Sequence, residues 1–261
     1  MSEAADLSFR AKPTTAKREI GSGGTGSVLA FVTLAFLAGA ILLNWKRSGR
    51  TFGSFIGLGI VRLYARLWHG CTFPAPITLP ASGPALIVVN HTSSPDGCFV
   101  QCGCWRGLTF LVAREFFQPH FLWIWATTAC VPVDRSGSDI RALRLGLRRL
   151  EEGRAVVVFP EGTLSGAGVR PFRTPKCGAA FLALRSKAPV FPAFISGGPQ
   201  NPRVGSSWFL PSRKRVRIVY GPALDLSQFQ SRAITRPLLE QLTSLFMHEI
   251  AALDPKKKKR S

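Results

Sequence analysis

From about Pro74 onward, short runs of apolar and β-branched residues alternate with longer stretches whose apolar positions recur three and four apart. The runs Leu86–Val89, Thr109–Val112, Val131–Val133, Ala155–Phe159, Val190–Ile195 and Val216–Tyr220 read as buried strands. Helices are expected from Pro95, near Phe116–Ala126, and over Ser138–Leu150, Cys177–Ser186 and Thr235–Leu253. Strands alternating with helices in this way predict an α/β fold: a two-layer or three-layer sandwich with a largely parallel sheet.

The N-terminal third has a different texture. Residues 28–43, VLAFVTLAFLAGAILL, carry no charge and are followed by Asn44-Trp45-Lys46-Arg47. Sixteen helical residues span about 24 Å against a hydrocarbon core of about 30 Å, so the run predicts a membrane helix that either spans or re-enters. Phe55–Trp68 places Arg62 and Arg66 among bulky apolar residues, the pattern of a helix in the headgroup layer or of one packed on the soluble domain. The chain divides into a polar segment 1–27, membrane-associated helices 28–70, an α/β domain 71–253 and a basic tail 254–261. Lys46, Arg47, Arg50, Arg62 and Arg66 follow the apolar run without an acid among them. If the run spans, that bias places the domain that follows on the cytoplasmic side of a membrane.

Composition narrows the partners. With 46% hydrophobic residues the chain is not a disordered one, and 34 Lys and Arg against 14 acids give a formal charge of +20. Such a field attracts anionic lipid, phosphorylated substrates or nucleic acid. No basic groove interleaved with aromatics and no recognition motif accompanies it, so nucleic acid is not an expected partner. Six scattered cysteines form no disulfide framework, and Cys98, Cys102 and Cys104 lack a second pair at a zinc-site distance, so buried thiols rather than a metal site are expected there.

The candidate chemistry lies at strand ends. After the Leu86–Val89 run come His91-Thr-Ser-Ser-Pro-Asp96. A spacing of five turns two side chains about 140° apart on a helix, so these two meet only if the chain turns between them. Ser94 as N-cap with Pro95 at the first helical position supplies such a turn and brings Asp96 beneath the imidazole. A histidine whose one ring nitrogen is held by a carboxylate presents the other to a substrate hydroxyl, which suits general-base catalysis. Taken alone, the same residues also read as a capped helix start with an incidental histidine. Arg135 follows another strand and precedes a helix, a place for a guanidinium to grip phosphate, although Asp134 beside it also offers a surface ion pair. The Ala155–Phe159 strand ends at Pro160 and exposes Glu161, Gly162 and Thr163 as a loop would at an active site. Downstream, Arg170, Arg173 and Lys176 offer cations to an anionic substrate or decorate a solvated loop.

Together these stretches resemble the glycerolipid acyltransferases, the 1-acyl-sn-glycerol-3-phosphate acyltransferase family. His91 to Asp96 matches its H-x-x-x-x-D, Phe159-Pro160-Glu161-Gly162-Thr163 matches its F-P-E-G-T, Arg135 lies between them, and APVFPAFISG follows, over roughly half the chain. The resemblance implies transfer of a fatty acyl group from coenzyme A or acyl carrier protein to a lysophospholipid hydroxyl, most simply 1-acylglycerol 3-phosphate, with no cofactor beyond that thioester co-substrate and no metal. It implies His91 as general base and Asp96 as its orienting carboxylate. It also implies that Arg135 and the Glu161–Gly162–Thr163 loop bind the acceptor's glycerol phosphate, with membrane lipids supplying the acyl chains. Family members commonly carry arginine directly after Glu-Gly-Thr, where this chain has Leu164, leaving Arg170, Arg173 or Lys176 as alternative phosphate ligands. Other readings are a relative acting on another lysolipid, and an inactive lipid-binding or nucleic-acid-binding membrane protein.

Overall fold

A computed structural model describes residues 51–256 apart from 74–76, 78, 105, 115–129, 134–138, 163–174, 200–206 and 213, together with 33, 34, 36, 38, 39, 41 and 42 of the earlier chain. In chain order the elements are α1 (Phe52–His69), β1 (Ala85–Val89), α2 (Asp96–Cys102), β2 (Leu108–Ala113), β3 (Val131–Val133), α3 (Asp139–Glu151), β4 (Ala155–Val158), α4 (Gly178–Ser186), β5 (Val190–Ser196), β6 (Arg217–Tyr220), α5 (Ser227–Gln230) and α6 (Arg236–Ala252).

The strands form one six-stranded sheet in the order β3-β2-β4-β1-β5-β6. Every pairing is parallel except that of β5 with the edge strand β6. Strand β1 is buried along its whole length because both sheet faces are covered. Its side chains alternate between the faces: Ala85, Ile87 and Val89 pack with α1 and α2, and Leu86 and Val88 pack with α3, α4 and α6. The sandwich therefore has three layers, one of the two alternatives the sequence left open.

The crossovers fix where a site belongs. From β1 the chain leaves through α2 on one face, and from β4, the neighbour of β1, it leaves through α4 on the other face. Adjacent strands whose connections depart to opposite faces open a crevice at their carboxyl ends, where ligands bind in sheets of this kind. The register Val88↔Val158 sets those two ends side by side. At the opposite end of the sheet, the Arg106 guanidinium donates to the carbonyls of Pro80, Gly83 and Gly153 and ties the loops that enter β1 and β4.

Helix α1 packs Leu58, Val61 and Ala65 onto the domain and leaves Phe52, Ile56, Ile60, Leu63 and Leu67 exposed. Of its two arginines only Arg66 is exposed. Arg62 turns inward, donating from Nε to Cys102 O at 3.0 Å and from Nη2 to Cys104 O at 3.2 Å, and so satisfies carbonyls left open at the end of α2. The expected pair of headgroup arginines is thus split between a structural and an outward role. The apolar run 28–43 lies mostly outside the described residues. Those described there are helical, with Leu34, Phe36, Ile41 and Leu42 exposed, and among the described residues no helix is long and apolar enough to cross a membrane. Phe116–Ala126 also lies outside the described residues, and the short helix α5 was not foreseen.

Candidate active site

The carboxyl end of β1 delivers Asn90 and His91 into the crevice. Asn90 acts as an extra rung of the sheet: its Nδ2 donates to Ile195 O at 2.9 Å, and its Oδ1 accepts from Ile195 N at 2.8 Å. This pair prolongs the β1–β5 pairing past Val89 with a side chain, which frees the backbone of the next residues to turn.

That turn is built around one carboxylate. Asp96 is 0% exposed, and its Oδ2 accepts from the backbone N–H of Thr92 at 2.6 Å and of Ser93 at 2.8 Å. Ser93 Oγ donates to Oδ1 at 2.6 Å, and His91 Nδ1 lies 3.0 Å from Oδ2. Charge-assisted bonds of this number specify a single conformation for the turn. The N-cap expectation needs correction. Helix α2 opens at Asp96 itself, Pro95 occupies the cap position, and no side-chain hydrogen bond caps it there. The amides that meet the carboxylate belong to the turn ahead of the helix, because Asp96 reaches backward over Thr92 and Ser93.

His91 is oriented on three sides. Asp96 holds Nδ1, Phe159 stacks on the ring with centroids 4.1 Å apart and planes at 23°, and the His91 backbone N–H donates to Glu161 Oε1 at 3.2 Å. The side chain keeps 19% of its surface exposed, so Nε2 is the ring nitrogen that the carboxylate leaves for a ligand. Glu161 is 4% exposed, which places its carboxylate beneath the crevice, linking the loop after β4 to the turn after β1.

Gly162 follows with φ +65, and a Cβ there would come within 3.1 Å of Lys176 Cδ and Cε. Lys176 N donates to Pro160 O at 2.8 Å, so the residues before α4 fold back onto the Pro-Glu-Gly turn and bring the Lys176 side chain beside it. The structure thus gathers His91, Asp96, Glu161, Gly162 and Lys176 at the ends of β1 and β4. Arg135, Thr163 and Arg173, with Leu164 and Arg170, lie outside the described residues. The strand preceding Arg135, β3, is the sheet's edge, three positions from β1 or about 14 Å at the usual strand spacing. Among the described residues no cluster of His, Cys, Asp and Glu is arranged to hold a metal. Cys98, Cys102 and Cys104 are buried, and burial pushes the Cys102 thiol up to about 12 and raises that of Cys98 as well.

Asn90, Ser93 and Gly198 were not singled out from the sequence, and Phe159 entered only as a strand end and as part of the F-P-E-G-T match. Gly198, just past β5, has a packing reason: a Cβ there would fall 2.6 Å from Ser93 Oγ and 3.3 Å from Thr92 Oγ1. Ser93 cannot swing away without releasing Asp96. Gly198→Ala should therefore cost about 1–3 kcal/mol as overpacking and lower activity with it. Adding Ser93→Ala should recover part of the stability, since the two changes share one contact. Thermal unfolding of the single and double variants measures this, and strict additivity would contradict it.

The residues 72–196, which hold His91, Asp96, Glu161, Gly162 and Lys176, match the model of the family described as Acyltransferase. The chain is 30% identical over 188 residues to the N-acylphosphatidylethanolamine synthase of Arabidopsis thaliana, covering 62% of this chain and 66% of that protein. It is 28% identical over 170 residues to the 1-acyl-sn-glycerol-3-phosphate acyltransferase of Limnanthes alba, covering 60% and 56%. This chain is thus similar to the glycerolipid acyltransferases, through an acyltransferase domain at residues 72–196. It spans two thirds or less of the length of these two proteins. The crystal structure of the 1-acyl-sn-glycerophosphate acyltransferase of Thermotoga maritima shares the acyltransferase fold, with a TM-score of 0.56 at 18% identity over 88% of this chain and 94% of that one.

Proposed function

We propose that this protein moves a fatty acyl group from an acyl-CoA or acyl carrier protein thioester to the free hydroxyl of a lysophospholipid, most simply 1-acylglycerol 3-phosphate, giving phosphatidic acid. The observation that carries the reading is the imidazole of His91, held at Nδ1 by a buried carboxylate and open at Nε2 in the crevice. Nε2 takes the acceptor's hydroxyl proton as the oxygen attacks the thioester carbonyl. The C–S bond breaks, the thiolate leaves, and the imidazolium returns the proton to it. Asp96 holds the ring in the tautomer with Nδ1–H and stabilises the imidazolium that forms during transfer. The acceptor oxygen is the nucleophile, so no acyl-enzyme is required.

In this reading Glu161 joins the two loops, Lys176 and the Gly162–Thr163 backbone meet the acceptor's glycerol phosphate, and Arg135 and Arg173 complete the anion site. The apolar N-terminal segment keeps the domain at a membrane, on the cytoplasmic side by the distribution of basic residues. Arg135→Ala should raise the acceptor KM by about ten-fold or more, the loss of one charge-assisted contact of about 1.5–3 kcal/mol, while leaving the donor KM within two-fold of roughly its original value. An effect confined to the donor would overturn that role.

A second acceptor class has its own support. Leu164 stands where an arginine is common, and one of the similar proteins is named for making N-acylphosphatidylethanolamine. Assaying lysophosphatidate, lysolipids without a free phosphate, and phosphatidylethanolamine as acceptors decides between them. Preference for lysophosphatidate supports the first reading, and transfer to the amine alone would replace it.

A further inference from the structure

We propose that the Trp208–Leu210 turn is a membrane-insertion element which, together with the outer face of α1, seats this domain on an anionic bilayer. The inference concerns lipid contact and stands whether or not the acyl-transfer reading holds.

The turn is apolar where a surface loop is ordinarily polar. Phe209 is 69% exposed and Leu210 46%, while Trp208 packs against the core and anchors the tip. It is also fastened to the last turn of α1. Trp68 Nε1 donates to Phe209 O at 3.1 Å, and the Tyr64 hydroxyl donates to Trp208 O at 2.5 Å. Since that hydroxyl has one proton, it accepts from His69 Nε2 at 2.8 Å, and His69 Nδ1 in turn accepts from Ser212 Oγ at 2.8 Å. His69 is 2% exposed, so the latch lies beneath the surface and holds Phe209 beside the exposed Trp68, on the helix that also exposes Leu63 and Leu67. Two segments about 140 residues apart in sequence thus share one apolar surface.

Charge selects the occupant. No Asp or Glu occurs between Glu19 and Asp96, or between Glu161 and Asp225, the two stretches that build this surface. Arg66 on α1 and Lys214, Arg215 and Arg217 shortly after the turn in sequence are exposed. Protruding apolar side chains flanked only by cations, with indole rings at the margin, match an anionic lipid surface, where the apolar tip enters the acyl boundary and the cations remain among the headgroups.

The test uses the full chain in vesicles of equal parts phosphatidylcholine and phosphatidylglycerol, with the photo-crosslinking residue p-benzoylphenylalanine introduced at Phe209. The same label at Leu210 is a second reporter, and at Ile234 a control: Ile234 is exposed and apolar but stands at the start of α6, on the opposite face of the sheet. Lipid adducts should form at 209 and 210 at least about ten-fold more than at 234, as expected for side chains within the acyl boundary. Lys214→Gln with Arg215→Gln should lower the yield at 209 by about five-fold per charge removed, the worth of one cation near an anionic surface. Adducts to a second copy, adducts to residues 28–43 of the same chain, or equal lipid yields at 209 and 234 would overturn the proposal.

Discussion

His91→Ala is expected to lower kcat by about 10² to 10⁴, the usual cost of removing a general base. The structure argues that the loss is chemical. His91 stands at the edge of the crevice, 19% exposed, with one ring face on Phe159 and one nitrogen on Asp96. The backbone N–H that meets Glu161 remains in the alanine variant, as do the amides of Thr92 and Ser93 that grip Asp96. The turn therefore keeps its main supports, the melting temperature should change by only about 2–4 °C, and the KM for the thioester donor should change little. An unchanged kcat in a folded variant would refute the assignment. A collapsed melting temperature would move His91 from chemistry to structure.

Asp96→Asn should show the opposite division, a large fall in kcat together with a large loss of stability. Asp96 is fully buried, and its two oxygens serve Thr92 N, Ser93 N, Ser93 Oγ and His91 Nδ1. The amides of Thr92 and Ser93 are fixed donors and meet Oδ2 together with His91 Nδ1, whereas the Ser93 hydroxyl at Oδ1 can donate or accept. An amide can turn its Nδ2 toward the Ser93 hydroxyl, which then accepts, but the carbonyl left for the two backbone amides and the imidazole carries no charge, so every bond of the cluster loses its charge assistance. The cost is about 1.5–3 kcal/mol for losing charged hydrogen bonds in a buried cluster, visible as a lower midpoint in urea. The imidazole also loses the partner that fixes its tautomer, so kcat should fall by about 10² or more. Combining this change with His91→Ala should lower kcat no further than the worse single variant, since both act through one proton transfer. Independent, multiplying losses would contradict the pairing.

Much of the fold was legible because the period of the apolar runs differs so clearly between strand and helix. Leu86–Val89, Ala155–Phe159 and Val190–Ile195 are apolar at every position because the sheet is covered on both faces, and the central strands fall within a residue or so of the expected bounds. His91 and Asp96 were legible as a pair because their spacing excludes a continuous helix, and the observed turn does bring them within 3.0 Å. Less visible were side chains whose task is set by a partner far along the chain. Asn90 reads as an ordinary loop asparagine until Ile195 is placed beside it, 105 residues away, and Arg62 reads as a headgroup arginine until the end of α2 is placed under it. Phe159 reads as the last residue of a strand, and its ring is found on His91 only through the β1–β4 register. Short α5, four residues between Asp225 and Ser231, has no room for a periodic signal.

The burial of Glu161 also bears on how such sites work. A carboxylate in an exposed-looking Pro-Glu-Gly turn suggests a ligand contact, yet here its Oε1 meets the amide of the catalytic candidate itself, 70 residues earlier. The two motifs that carry the resemblance are thereby one piece of structure. Their separation in sequence is the length of chain needed to build β2, β3 and α3 before β4 returns to the side of β1.

The most direct test of the central claim is transfer of a labelled acyl group from its thioester to lysophosphatidate by the purified chain in lipid, with the His91→Ala protein measured alongside. Labelled phosphatidic acid formed in step with free thiol by the parent chain, and lost in the variant, is the predicted result. Thiol release without acylated lipid, or equal transfer by both proteins, would contradict it.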